Sequence, residues 1–355
     1  KNLILKRKAQ SLPFFITTIE ITMYQKIVCC LVCCFTLGNG YAQDTLKIAF
    51  GSCNDEKKSQ EFWTSIIAQN PTHWYWLGDI VYADTEDMSQ LRQLYSHVKE
   101  DSNYRELSAN TAIDGTWDDH DYGLNDGGQE FPKKDESKIE LLRFLDLENN
   151  SELNSHKGVY HSSVITTSDN KIKTIFLDTR TFRTELQIST IQGRRYDTIN
   201  VGSFLGEKQW IWLEEQLQDS TIDLFILASS VQALAIDQGY ESWGTMPHER
   251  RKLLKLLKDK PAIILSGDRH IAEISMIQNG KYLLYDITSS GLTHTWSNYR
   301  YEPNGNRVGG QFVVKNFGML SICKSNDILY VTAELLQIPD ATVIEKLKIP
   351  FPTLK

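Results

Sequence analysis

Short apolar runs that end in polar, turn-forming residues punctuate this chain. Residues 46–50 (LKIAF) run into Gly51-Ser52-Cys53-Asn54-Asp55, and residues 74–77 (WYWL) into Gly78-Asp79. Between them, residues 61–69 (EFWTSIIAQ) carry apolar positions at helical spacing. Such a strand–helix–strand unit predicts a parallel or mixed sheet. The same reading predicts strands at 173–177, 224–228, 262–265 and 281–287, and helices at 89–99, 138–147, 207–217 and 248–257. The alternation predicts an α/β fold. Residues 121–137 and 184–204 are long, polar and contain glycine, as functional loops often are. No Pro-, Gly- or Ser-rich linker and no internal repeat marks a boundary within the chain.

The N-terminal segment reads differently. Residues 1–22 precede Met23 and are expected to be an upstream artefact rather than part of the fold. From Met23 a short basic stretch ends at Lys26, an apolar run spans 27–37, and small residues follow around Gly40 and Ala42. That order predicts a signal peptide over 23–42, cleaved after Ala42. The run is shorter than the ~20 apolar residues that a membrane span needs. The expectation is therefore a secreted or periplasmic protein with no stable span after cleavage; an uncleaved anchor is the alternative. Residues 43–355 are expected to form a single catalytic domain.

This division alters the charge and cysteine balance. Cys29, Cys30, Cys33 and Cys34 fall in the apolar segment, leaving Cys53 and Cys323 in the body. Two cysteines make no disulfide framework. Setting aside the five basic residues and one acid of 1–42 takes the net charge from −7 to −11. An acidic body disfavours specific nucleic-acid recognition and suits a protein that gathers carboxylates around cations.

Four predicted strands end in potential ligands: Cys53, Asp79, Asp178 and Asp268. Ligands of open α/β sheets bind beyond the carboxyl ends of strands. An Asp in that place singly is more often a helix cap, and a lone Cys more often a small buried hydrophobe. The context shifts the balance. Residues 117–126 (WDDHDYGLND) place Asp119, His120, Asn125 and Asp126 together, Tyr82 and Asp84 follow Asp79, and Asp268 and His270 are two residues apart. Thiolate, carboxylate and imidazole form a hard-to-borderline metal donor set.

Seven motifs in order resemble the alkaline phosphatase D (PhoD-like) family of calcineurin-like metallophosphoesterases. They are GSC at 51–53, GDIVYAD at 78–84, TWDDHDYGLND at 116–126, LDTRTFR at 177–183, LGEKQWIWLEEQL at 205–217, MPHERRKLL at 246–254 and SGDRH at 266–270. The resemblance covers roughly residues 46–340. It implies a metallophosphoesterase-type α-β-β-α sandwich, with two central mixed β-sheets flanked by helices, and a site holding iron and calcium. The implied metal ligands are Cys53, Asp79, Tyr95 (as the phenolate), Asn125, Asp268 and His270. Asp119, His120 and Arg180 are the implied catalytic residues, and Arg180 and Tyr82 would contact substrate. Tyr122, Phe131 and Tyr196 are expected to form a specificity wall. Because Cys53 lies ten residues beyond the presumed cleavage point, the β-sandwich that precedes the catalytic domain in the best-studied architecture is expected to be absent.

The implied reaction is hydrolysis of phosphomonoesters or phosphodiesters by a metal-activated hydroxide in a monomer. The substrate is a small phosphate ester or a phospholipid or polymer phosphodiester. A phospholipase-type phosphodiesterase is the nearest rival. A catalytically silent calcium-binding surface protein is the rival from another class.

Overall fold

The computed structural model describes residues 45–296 and 301–352; the signal-peptide and upstream-artefact expectations lie outside them. Thirteen strands among the described residues form two mixed sheets. The first takes β1 (Leu46–Gly51), β2 (His73–Leu77), β3 (Ala112–Thr116), β11 (Asn316–Ser325), β12 (Ile328–Gln337) and β13 (Thr342–Pro352), in the order β13-β12-β11-β1-β2-β3. The second takes β4 (His161–Thr166), β5 (Lys171–Phe176), β6 (Leu224–Ala228), β7 (Ala262–Ser266), β8 (Ala272–Asn279), β9 (Tyr282–Ser289) and β10 (Arg307–Phe312), in the order β10-β8-β9-β7-β6-β5-β4.

Period-2 alternation explains the layering. In β1, Leu46, Ile48 and Phe50 enter the core between the sheets, while Ala49 faces outward. In β2, Tyr75 and Leu77 face the other sheet, and Trp74 and Trp76 face the helices. In β6, Leu224, Ile226 and Ala228 line the central core, and Phe225 and Leu227 the outer one. The runs are apolar at every position because both faces are covered.

Outside the first sheet lie α1 (Trp63–Ile67), α2 (Met88–Glu100), α3 (Ser102–Asn110), the single turn α4 (Asp119–Tyr122) and α5 (Lys134–Phe144); α6 (Ser151–Ser155) precedes β4. Trp63 meets Trp74 and Trp76 edge-on, with centroids 5.1 and 5.4 Å apart. Such pairs add about 0.5–1.5 kcal/mol each beyond area burial. Outside the second sheet, α7 (Gly206–Gln216) and α8 (Pro247–Leu256) bury Trp210, Leu213 and Leu253. The molecule is thus an α-β-β-α sandwich with two mixed sheets, as the resemblance implied.

One helix is displaced from its expected span. α5 begins four residues before position 138 and stops at Phe144. Asp135 and Glu136 in its first turn complement the helix dipole, and Asp146 just beyond it is left-handed at φ 58°.

Strands β1, β2 and β3 are mutually parallel, as are β5, β6, β7 and β9. Their carboxyl ends therefore lie along one rim, where the predicted ligands sit.

Candidate metal centre

The rim is built from strained turns. Cys53 (φ 61°), Asp79 (50°), Asp84 (42°), Asp126 (52°), Asp268 (64°) and His270 (55°) are all left-handed. Asp and His tolerate that region; for Cys it is uncommon and marks a constrained site. Two glycines allow the strand ends to close on one another. A Cβ on Gly78, itself at φ +93°, would sit 2.3 Å from the Asp118 Cβ, and one on Gly267 would sit 2.6 Å from Ser52 Oγ.

The turns converge on Asp79. Cys53 Sγ donates to Asp79 Oδ2 at 3.2 Å and lies 3.3 Å from Ser290 Oγ. Tyr82 donates to Asp79 Oδ2 at 3.4 Å, and its hydroxyl is 2.9 Å from His270 Nε2. Two groups have ligand atoms within 4.8 Å of one another: Cys53, Asp79 and His270, and Asp79, Asp119 and His120. Asp79 belongs to both. The Oδ1 atom of Asp79 and the Oδ2 atom of Asp268 are buried with no hydrogen-bond partner. Burial pushes the Cys53 thiol up to about 11 and Asp268 up to about 7. Asp79 is also raised, first by burial and then by Cys53 and Asp119 beside it. A set of thiol, carboxylates and imidazole held together with orphaned oxygens is one that a cation would complete. The residues fit a metal.

His120 is anchored at one nitrogen: Nδ1 lies 2.8 Å from Asp84 Oδ2. Burial works against its charged form, but Asp79, Asp84 and Asp119 outweigh it and raise the ring to about 11. Asp119 accepts from the backbone N–H of His120 at 2.9 Å and of Asp126 at 2.6 Å. The exposed Asn125 side chain donates to Asp126 Oδ2 at 2.8 Å. Asp119, His120, Asn125, Asp268 and His270 all line one small cleft of about 80 Å³. Larger depressions along α2 and beside residues 217–225 contain neither ligand group.

Several sequence expectations meet a different geometry. Arg180 is sealed off from the cleft. Nε and Nη2 both donate to Asp118 Oδ1, and Nη1 donates to Glu241 Oε2 at 2.7 Å, with no side-chain exposure. It cannot reach substrate as it stands, and its task is to neutralise Asp118 and Glu241. The phenol that joins the thiol, carboxylate and imidazole belongs to Tyr82, not Tyr95. Tyr95 is buried in the helical layer, stacked on Phe144 at 5.0 Å with Asp121 and Glu140 nearby. Three residues after a turning Asp, Tyr82 folds back over it, whereas Tyr95 lies inside α2. Asp178 is fully used as a cap, accepting from the backbone of Val159, Arg180 and Thr181 and from Trp117 Nε1. Of the expected specificity wall, Tyr122 and Phe131 are core residues. The aromatics at the cleft are instead Trp296 and Tyr240.

Ser290, His294 and Trp296 are the residues that the motifs did not reveal. Ser290 Oγ accepts from the His270 N–H at 2.6 Å. His294 lies edge-on to His270, centroids 4.4 Å apart, and Trp296 stacks on His270 at 5.2 Å. The signal was the run 282–289: it parallels β7, so its end had to reach the same rim.

A family model described as PhoD-like phosphatase matches residues 169–302, the stretch that brings Asp268, His270 and His294 to this rim. A solved structure of PhoD aligns with a TM-score of 0.63 at 15% identity, covering 85% of this chain and 71% of that one. Over that stretch the chain is similar to the PhoD-like phosphatases, and the shared fold agrees with it. The two structures share a fold; at that identity the likeness extends no further. Vps29 from Entamoeba histolytica, complexed with zinc, and Vps29 from Chaetomium thermophilum each align at a TM-score of 0.31, with 10% and 8% identity. Those alignments cover 86% of this chain and 99% and 97% of theirs, and are too loose to bear on the site. No curated protein matches the chain. The match supports a hydrolase of phosphoester bonds, and the rim supplies two groups of side chains that could hold a metal ion. No helix among the described residues is long and apolar enough to cross a membrane.

Proposed function

We propose that the protein is an exported phosphoesterase, with residues 43–355 as its catalytic domain, that hydrolyses small phosphomonoesters, phosphodiesters or both at a multinuclear centre. The observation that carries this reading is the sharing of Asp79 between two ligand groups. One carboxylate serving two sets of donors is how a protein holds two cations close together. The softer side, with Cys53, Tyr82 and His270, suits iron. The harder side, with Asp79, Asp119, Asn125 and Asp268, suits calcium. When bound, the cations would supply Lewis acidity and acidify a water for attack at neutral pH.

The remaining work falls to side chains. Asp84 holds Nδ1 of His120, which leaves Nε2 to deliver a proton to the departing oxygen. Ser290 restrains both Cys53 and the backbone of His270, so the softer ligands keep their spacing. The buried Arg180 neutralises Asp118 and keeps its charge from adding to the rim. Export rests on the basic, apolar and small-residue order of 23–42. A phospholipid diester as substrate gains support from the 184–204 loop beside the cleft. It exposes Ile188 (77%), Ile191 (59%) and Val201 (71%).

The test is to assay the chain from Gln43 on p-nitrophenyl phosphate and bis-p-nitrophenyl phosphate, with and without chelator, beside Cys53→Ala. Turnover should fall in both cases. Activity that survives chelation and loss of Cys53 would overturn the metal mechanism. Elemental analysis showing neither iron nor calcium would overturn the metal assignment alone.

A further inference from the structure

The cleft is acidic: Asp119, Asp126, Glu241 and Asp268 line it. An incoming phosphoryl group needs positive charge on the protein side as well as from any cation. Arg180 and Arg183 have no side-chain exposure and are paired with Glu241. Arg269 lines the cleft but is 4% exposed and held by Glu302 at 2.5 Å. Arg195 differs. Its side chain is 50% exposed, it lines the cleft, and Nη2 meets Asp126 Oδ2 at 2.5 Å. A half-exposed ion pair is weak, because solvent screens it, and a phosphoryl group can displace it.

We propose that Arg195 is the phosphoryl-binding residue of the cleft, gripping the non-bridging oxygens of the substrate; this rests on the phosphoesterase reading above. Its backbone is already positioned. The N–H groups of Arg195 and Tyr196 both donate to Gly239 O, at 2.8 and 3.2 Å, and Ser189 N–H donates to Arg195 O at 2.9 Å. The side chain is steered by Nε, which donates to the Tyr196 hydroxyl at 2.9 Å, and that hydroxyl donates to Asp126 Oδ2 at 2.7 Å. With Nε occupied, the terminal nitrogens remain to exchange Asp126 for phosphate in fork geometry. A dianionic monoester gains more from this exchange than a monoanionic diester, so Arg195 sets preference between the two classes.

The competing account makes Arg195 a strap that fastens the 184–204 loop to Asp126. Tyr196 belongs to the same strap, and this separates the two accounts. The full-length protein is compared with Arg195→Ala, Arg195→Lys and Tyr196→Phe for KM and kcat on p-nitrophenyl phosphate and bis-p-nitrophenyl phosphate, and for competitive inhibition by inorganic phosphate. Arg195→Ala should weaken phosphate inhibition and raise KM for the monoester by about tenfold to a hundredfold, the range of a lost charged hydrogen bond. The diester should suffer less, Arg195→Lys should recover part of the loss, and Tyr196→Phe, which removes only the steering contact at Nε, should cost less than Arg195→Ala. Unchanged phosphate inhibition in Arg195→Ala, or an equal loss in Tyr196→Phe, overturns the inference while the phosphoesterase reading stands. A wild-type protein inert toward both esters overturns that reading and the inference with it.

Discussion

Two clusters of buried charge lie side by side on the rim, and they are completed in opposite ways. In the closed cluster, Arg180 and Arg183 face Asp118 and Glu241, and the positive and negative groups balance within the protein. In the open cluster, Cys53, Asp79, Asp119 and Asp268 gather beside His120 and His270, Asp79 Oδ1 has no hydrogen-bond partner, and Arg269 Nη1 stays 3.9 Å from Asp268 Oδ2. Burial costs both sets several kcal/mol per uncompensated ion. The closed cluster offsets that cost with arginines and is structural. The open one is left for something that binds, which separates a scaffold from a site more sharply than residue type does.

The largest way to break the contrast is to remove the shared carboxylate. Asp79→Asn should lower kcat/KM on p-nitrophenyl phosphate by about a thousandfold, the several kcal/mol expected when metal electrostatics are lost. The fold should persist, because Asp79 makes no charge pair that the core depends on. Full activity in this variant would remove the open cluster from the chemistry.

Next comes the closed cluster. Arg180→Met should destabilise the fold by about 3–5 kcal/mol, since Asp118 would remain buried without its counter-charge. Denaturant melts of the metal-free protein measure this apart from activity. Lost turnover with unchanged stability would return Arg180 to the substrate-contact role that its motif suggested.

Cations sharpen the difference further. Metal at about a hundred times its dissociation constant should stabilise the wild type by about 2.7 kcal/mol, by mass action on the native state. Asp79→Asn should respond far less. Equal stabilisation of both would mean that the ions bind elsewhere.

The contrast also explains how far the sequence could be read. Strands such as β6 and β7 were legible because they are buried on both faces and uniformly apolar. The C-terminal hairpins were not. Residues 333–336 of β12 (AELL) are good helix formers; they are strand because pairing with β11 and β13 buries Ala333 and Leu335 against the second sheet. At the rim, Cys53, Asp79 and Asp268 were legible because they follow predicted strands. Arg180 was misplaced because a motif records that an arginine is needed, not whether an acid from a distant segment already occupies it. Glu241 lies 61 residues away and falls in no motif. The positive φ of Cys53 has no local signature, since Cys does not favour it.

The smallest expected effect tests a pair that belongs to neither cluster. His161 is buried, with Nε2 2.7 Å from Asp114 Oδ1 and Nδ1 2.8 Å from Val159 O. Burial opposes its charged form, but Asp114 outweighs that and raises the ring above its ordinary value of 6.5. The folded pKa being the higher one, the stabilisation is fully present below about pH 6.5 and is lost as pH rises through the folded value. The wild type should therefore lose stability progressively above neutrality, by at most about 1.4 kcal/mol per pH unit from this proton, as denaturant melts across pH would measure. Asp114→Asn should reduce that slope by the share of this one proton, leaving the share that His120 contributes in the same direction, without changing the response to added cation. A slope left wholly unchanged by the substitution would assign it to the open cluster, where His120 and Asp268 are raised in the same direction.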